Sequence, residues 1–165
     1  MTTFAISSKA LVVTAAVALL AACGGGSDGD KATTGTLKLS ITDSPVDDAR
    51  EVWVQFRAVE FKPEGGAPVM QELRNSGGAL EPQRLDLLAL QGGQAAVLVN
   101  NVVLPAGRYE WIRLLVDNQP NVRDSFIMMK DGSECELRVP SGDESGLKMN
   151  RGFTLPADGS VALTV

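Results

Sequence analysis

The chain contains no histidine. That absence removes the usual imidazole base of Ser and Cys nucleophiles and the commonest nitrogen ligand of zinc. Cysteine is nearly absent too, with only Cys23 and Cys135 among 165 residues, so a disulfide framework cannot carry the fold. Aromatic residues make up 5% of the chain, including two Trp and one Tyr. Basic residues are outnumbered, 15 Lys and Arg against 20 Asp and Glu. Nucleic-acid binding rests on neutralising phosphates and anionic lipid surfaces attract basic clusters, so the composition argues against both. No apolar run reaches the length of about 20 residues needed to span a bilayer as a helix.

The longest uncharged apolar stretch is Ala10 to Ala22, 13 residues preceded by a single positive charge at Lys9. That is the length of a signal-peptide apolar region. It ends Leu20-Ala21-Ala22-Cys23. Small residues at Ala21 and Ala22 suit a peptidase that draws an extended backbone into a narrow cleft, and Leu20 fills an apolar pocket. This stretch resembles the bacterial lipobox. The resemblance implies cleavage before Cys23 and a diacylated (palmitate-type) thiol on Cys23, which anchors the mature chain to a membrane. Residues 1–22 are therefore read as a lipoprotein signal peptide. Residues 23–34 follow as a Gly/Ser/Asp-rich tether, with nothing in Gly24 to Lys31 that could pack. Gly24 is not Asp, which favours the outer membrane in an envelope with two membranes. The mature chain keeps 143 residues, with 14 Lys and Arg against 20 Asp and Glu, a net charge of −6. A chain of that length can bury one core.

From Gly35 the pattern changes to alternation. Leu37, Leu39 and Ile41 share one face of a half-buried strand, which Asp43-Ser44-Pro45 ends as a turn. Val52, Val54 and Phe56 share one parity, but Val59 and Phe61 share the other. That switch predicts a β-bulge near Arg57-Ala58. Short strands are predicted over Val69 to Arg74, Leu85 to Leu87, Ala95 to Leu104 and Arg108 to Asp117. Asp131-Gly132 predicts a hairpin between Ser125–Lys130 and Glu134–Val139. Leu147 to Leu155 and Ser160 to Val165 flank a further turn at Ala157-Asp158-Gly159. Eight to ten short strands without a long amphipathic helix predict an all-β fold, a two-sheet β-sandwich over residues 35–165. The runner-up is a partly open β-barrel. Cys135, in an alternating segment, is expected to be a small core residue.

Several segments in series resemble the domain-of-unknown-function family 4382, found in bacterial lipoproteins. They are Gly35-Thr36-Leu37-Lys38-Leu39-Ser40-Ile41-Thr42-Asp43-Ser44-Pro45 with Val46-Asp47-Asp48-Ala49, then Glu51-Val52-Trp53-Val54, then Leu85-Asp86-Leu87-Leu88. Further on come Leu104-Pro105-Ala106-Gly107-Arg108-Tyr109, Ile112-Arg113-Leu114, Pro140-Ser141-Gly142 and Ser145-Gly146-Leu147-Lys148. The resemblance covers about Gly35 to Val165. It implies no activity, cofactor or partner.

The chemistry-bearing candidates are few. Ser145-Gly146-Leu147-Lys148 fits S-x-x-K, but the partner motifs S-D-N and K-T-G are absent, and Lys148 is read as facing solvent. Gly142 to Lys148 has the wrong spacing for a phosphate loop, and Asp143 and Glu144 would repel phosphate. Asp43, Asp47 and Asp48 could supply carboxylate oxygens to Ca²⁺; the competing reading is a turn cap with solvated neighbours. Trp53 and Trp111 fall opposite in parity to the core positions, and could form a sugar platform or pack locally. The sequence thus points to a lipid-anchored, non-catalytic envelope module that binds or scaffolds a partner, protein or polysaccharide. A carbohydrate-binding module using the tryptophans and a small hydrolase are the alternatives.

Overall fold

In a computed structural model the described residues are 33–42, 47–117, 122–137 and 146–165. They form eleven strands: β1 (Thr34–Ile41), β2 (Ala49–Pro63), β3 (Val69–Glu72), β4 (Gln83–Asp86), β5 (Ala96–Pro105), β6 (Gly107–Val116), β7 (Phe126–Met129), β8 (Glu134–Glu136), β9 (Leu147–Met149), β10 (Phe153–Leu155) and β11 (Ser160–Thr164). One 3-10 turn, Leu87–Leu90, follows β4, and its N-cap Asp86 accepts a hydrogen bond from the Leu88 amide. No helix among the described residues is long and apolar enough to cross a membrane.

Two sheets pack face to face as a β-sandwich, and no closed barrel forms. The small sheet has the order β11-β1-β5. β5 runs antiparallel to β1, and β11 runs parallel to it. The large sheet is built around the 15-residue β2. Trp53 pairs with both Asp86 of β4 and Phe126 of β7, and Phe56 pairs with both Gln83 of β4 and Val116 of β6. Hence β3 and β4 follow one another along one edge of β2, while β6 and β7 follow one another along the other. β10 and β9 then share the far edge of β6.

The expected bulge lies where the parity switch placed it. Phe56 pairs with Val116 and Ala58 with Leu115, which leaves Arg57 as the extra residue. Without it, Val59 and Phe61 would face solvent, because a one-residue slip turns every side chain over. With it, Val54, Phe56, Val59 and Phe61 all enter the core with Leu37, Leu39, Ile112 and Leu114. Each such side chain contributes about 1.5–3 kcal/mol on burial.

Tyr109 closes the core at one end. It is fully buried, stacks on Phe153 at 4.8 Å between centroids, and donates its hydroxyl to the Pro105 carbonyl at 2.8 Å. That bond clamps the crossing from the small sheet to the large one, Pro105-Ala106-Gly107. Burial raises the Tyr109 pKa above its ordinary value. Gly35 opens the family-like motif where β1 passes under the β10–β11 connection. A Cβ there would stand 2.5 Å from the Pro156 carbonyl oxygen.

Two expectations need correction. Cys135 is exposed, not a core residue. β8 is only three residues long and pairs with β7 alone, and all three of its residues are exposed. Alternation with Glu134 and Glu136 therefore marks an edge strand without a covered face. The segment Leu147 to Leu155 is two strands, because β9 pairs with Ile112–Leu114 and β10 with Gly107–Tyr109.

Candidate functional site between the two sheets

Several of the residues singled out in the sequence cannot be placed. Asp43, Ser145 and residues 1–32, with Leu20, Ala21, Ala22 and Cys23, lie outside the described residues. Asp47 and Asp48 are exposed in the turn before β2, where their backbone carbonyls accept from Lys130, Asp47 from Nζ and Asp48 from the backbone amide. Among the described residues no group of three or more His, Cys, Asp or Glu could hold a metal ion.

Trp53 and Trp111 both sit on the outer face of the large sheet, half-buried. Trp111 pairs with Lys62, so the two rings are separated by nine positions along β2, about 30 Å. Each is covered by cations. The Arg84 guanidinium lies 5.1 Å from the Trp53 centroid and 5.0 Å from Phe126, which stacks on Trp53. Trp53 also donates its indole N–H to Glu51 at 2.8 Å. Arg113 and Lys148 each approach the Trp111 centroid to 4.7 Å. Lys148 is thus solvent-exposed, as expected, but its ammonium is engaged by a ring. These contacts are cation–π interactions worth about 0.5–1 kcal/mol each at an exposed site. Each contact takes up part of a ring face.

A different place gathers uncommitted polar groups. At one open side of the sandwich, β3 and the start of β4 face the middle of β5 across a cleft of about 310 Å³. Its floor is apolar: Leu73, Leu98, Val99 and Val102 are all buried. Its polar lining is Gln71, Glu72, Arg74, Gln83 and Asn100. The side chains of Glu72, Gln83 and Asn100 make no hydrogen bond or ion pair among the described residues. Gln83 is half-buried, so its amide gives up part of its hydration without a partner in the chain.

The rim beside Arg74 is braced. Asn75 accepts the amides of Gly77 and Ala79 at 3.0 and 3.1 Å, and donates to Glu81 at 2.7 Å. Arg74 donates to the Gly78 carbonyl at 2.8 Å. A second pocket of about 260 Å³ adjoins the cleft and shares Arg74 and Gln83 with it.

The opposite wall is irregular. Leu37 pairs with Val102 and Leu39 with Val99, so Lys38 faces two residues, Asn100 and Asn101. Asn101 has a φ of 54°, the left-handed region, in mid-strand. A second insertion, Leu98, falls between the pairs Leu39–Val99 and Ser40–Val97. Bulges of this kind re-aim side chains next to functional sites. The other non-glycine residue with positive φ among the described residues, Asp158, belongs to the tight turn before β11, which accounts for it. A depression of about 390 Å³ near that turn is lined by Thr34, Gly35, Thr36, Val103, Asp158, Gly159 and Ser160, and it lacks any comparable set of amides.

Gln71, Glu72, Arg74, Gln83 and Asn100 did not stand out in the sequence. One signal was there: Asn100-Asn101 interrupts the aliphatic run Ala96-Val97-Leu98-Val99 and Val102-Val103-Leu104.

The family described as Domain of unknown function (DUF4382) matches residues 34–165, and the chain belongs to it. No curated protein and no solved structure matches the chain.

Proposed function

We propose that this DUF4382 protein is a lipid-anchored, extracytoplasmic binding module, and that its ligand occupies the cleft between β3–β4 and β5. The observation that carries the reading is the pair of free side-chain amides, Gln83 from the large sheet and Asn100 from the small one, that line one cleft beside the buried Leu73, Leu98, Val99 and Val102. Small-molecule sites combine such a floor with a few polar groups that fix orientation. Support for the anchor is the lipobox-like Leu20-Ala21-Ala22-Cys23, and the family match begins only eleven residues after Cys23. In a two-membrane envelope, Gly24 after the acylated cysteine favours the outer membrane. The module is non-catalytic in this reading, because the chain has no His, and its one S-x-x-K lacks the partner motifs.

A ligand that binds the folded state raises its melting temperature by mass action. The test is a thermal-shift screen of saccharides, peptides and nucleotides on the membrane-extracted chain, beside a Gln83→Trp variant that fills the cleft. At least one compound is expected to stabilise the wild type and leave the variant unmoved. Failure of every compound, or equal shifts in both proteins, would sink the proposal.

A further inference from the structure

We infer that the cleft is built for an uncharged, hydroxyl-rich ligand, a short saccharide segment; this rests on the cleft being the binding site. β5 does not suit an added strand. Its outer edge is unpaired among the described residues, which by itself would invite an extended peptide to add as a further strand. But the six-residue stretch Val97 to Val102, five of whose residues line the cleft, contains both bulges. A bulge leaves an unpaired residue and bends the strand, and proteins use bulges to blunt edges against pairing. An added strand would lose its ladder twice within six residues. Recognition in this cleft therefore passes through side chains.

Gln83 and Asn100 each offer a carbonyl acceptor and an amide donor, and Gln71, whose amide donates to the Glu72 carbonyl at 3.1 Å, offers its oxygen. A sugar hydroxyl donates once and accepts twice, so amides match it without discriminating charge. Glu72 and Arg74 are of opposite sign, and the lining has no net charge. A lining without net charge offers no counter-charge to a phosphate or an ammonium, whereas hydroxyls can pair with its amides. The floor residues Leu73, Leu98, Val99 and Val102 are almost closed to solvent, so a ligand here is held chiefly through polar contacts. A volume of about 310 Å³ stands at the lower end of small-molecule sites, which span about 300–1,000 Å³. No aromatic ring lines the cleft, so binding is weak, with a Kd on the order of 1 mM.

Saturation-transfer NMR on the membrane-extracted chain in micelles tests this, with cellobiose, maltose and N,N′-diacetylchitobiose as probes at about 10 mM. Transfer to at least one of them is expected. Gln83→Ala and Asn100→Ala should each weaken it about tenfold, the loss of roughly one good hydrogen bond. Far-UV circular dichroism confirms that both variants fold. Absence of transfer to all three sugars, or undiminished transfer in both variants, overturns the saccharide assignment. A parallel run with uncharged pentapeptides separates the two levels of inference. A peptide response that Gln83→Trp abolishes, without a sugar response, refutes the ligand class but leaves the cleft as the site. The absence of any response sensitive to Gln83→Trp refutes both.

Discussion

Removing one oxygen atom, in Tyr109→Phe, probes how the two sheets are joined. The hydroxyl donates to the Pro105 carbonyl at 2.8 Å from a ring that is fully buried. The phenyl ring would keep its stack on Phe153, where the planes are 4° apart, so packing is conserved and only the clamp is lost. A net hydrogen bond contributes about 0.5–1.5 kcal/mol, and an acceptor left without its donor costs more when water cannot replace it. The expected loss is about 1–2 kcal/mol, or about 3–8 °C in melting temperature for a domain of this size. Urea and thermal unfolding followed by circular dichroism measure it. The pH dependence gives a second, independent check. Burial raises the folded-state pKa of Tyr109 above the ordinary value of 10.0. The neutral phenol therefore stabilises the fold fully below pH 10, and that stabilisation is lost as the pH rises through the folded pKa. Phenylalanine cannot titrate, so the gap between wild type and Tyr109→Phe must narrow above about pH 10. A Tyr109→Phe protein as stable as wild type at pH 7, or a gap that stays constant up to pH 11, would refute the reasoning.

Gly35→Ala is expected to destabilise by about 1–3 kcal/mol, because its Cβ would meet the Pro156 carbonyl oxygen at 2.5 Å and Leu155 Cγ at 2.8 Å; unfolding midpoints within error of wild type would show that the β10–β11 connection yields freely. Cys135 should react with a maleimide in the folded chain as fast as a free thiol, since it is exposed on an edge strand; a reaction that waits for denaturant would contradict the placement of β8. Cys23→Ser should abolish labelling by radioactive palmitate and leave an uncut or mislocalised chain, whereas persistent labelling would remove the basis of the anchor.

Much of the fold is visible in the sequence because a half-buried strand must alternate. Leu37, Leu39 and Ile41 mark β1 by that rule, and Asp131-Gly132 marks the β7–β8 turn, where the Asp131 carboxylate accepts the Ser133 amide at 2.8 Å. The Arg57 bulge is visible because the core parity flips across it. Strand partnership is another matter. Nothing local announces that β11 lies parallel to β1 from more than a hundred residues away. Cys135 misled because alternation reports the period of a strand and not whether anything covers either face. Parity correctly set Trp53 and Trp111 apart from the core positions. Arg113 follows Trp111 by two positions on one face of β6, but Arg84 and Lys148 reach the rings through cross-strand register, which a single strand's sequence does not contain. The cleft is hidden for the same reason: Gln83 belongs to the large sheet and Asn100 to the small one. Only sheet packing brings them to one place.

Asn101 connects strain, fold and site, and substitutions there separate the three. Its φ of 54° is a conformation that Asn tolerates better than most residues and Gly adopts freely. Asn101→Gly relieves the native strain but loosens the unfolded chain by about 0.4–1 kcal/mol, so its net effect on stability should be under about 1 kcal/mol. It preserves the bulge, and with it the placement of Asn100 in the cleft. Asn101→Val does the opposite. A β-branched side chain resists positive φ, and the cost is about 1–3 kcal/mol unless the bulge flattens. Flattening would shift the register between Leu37 and Leu39, the two pairs that fix β5 on β1. If the bulge serves the site, ligand response in the thermal-shift screen survives Asn101→Gly and is lost in Asn101→Val. A valine variant with wild-type stability and wild-type ligand response would mean that neither fold nor site depends on the left-handed turn of β5.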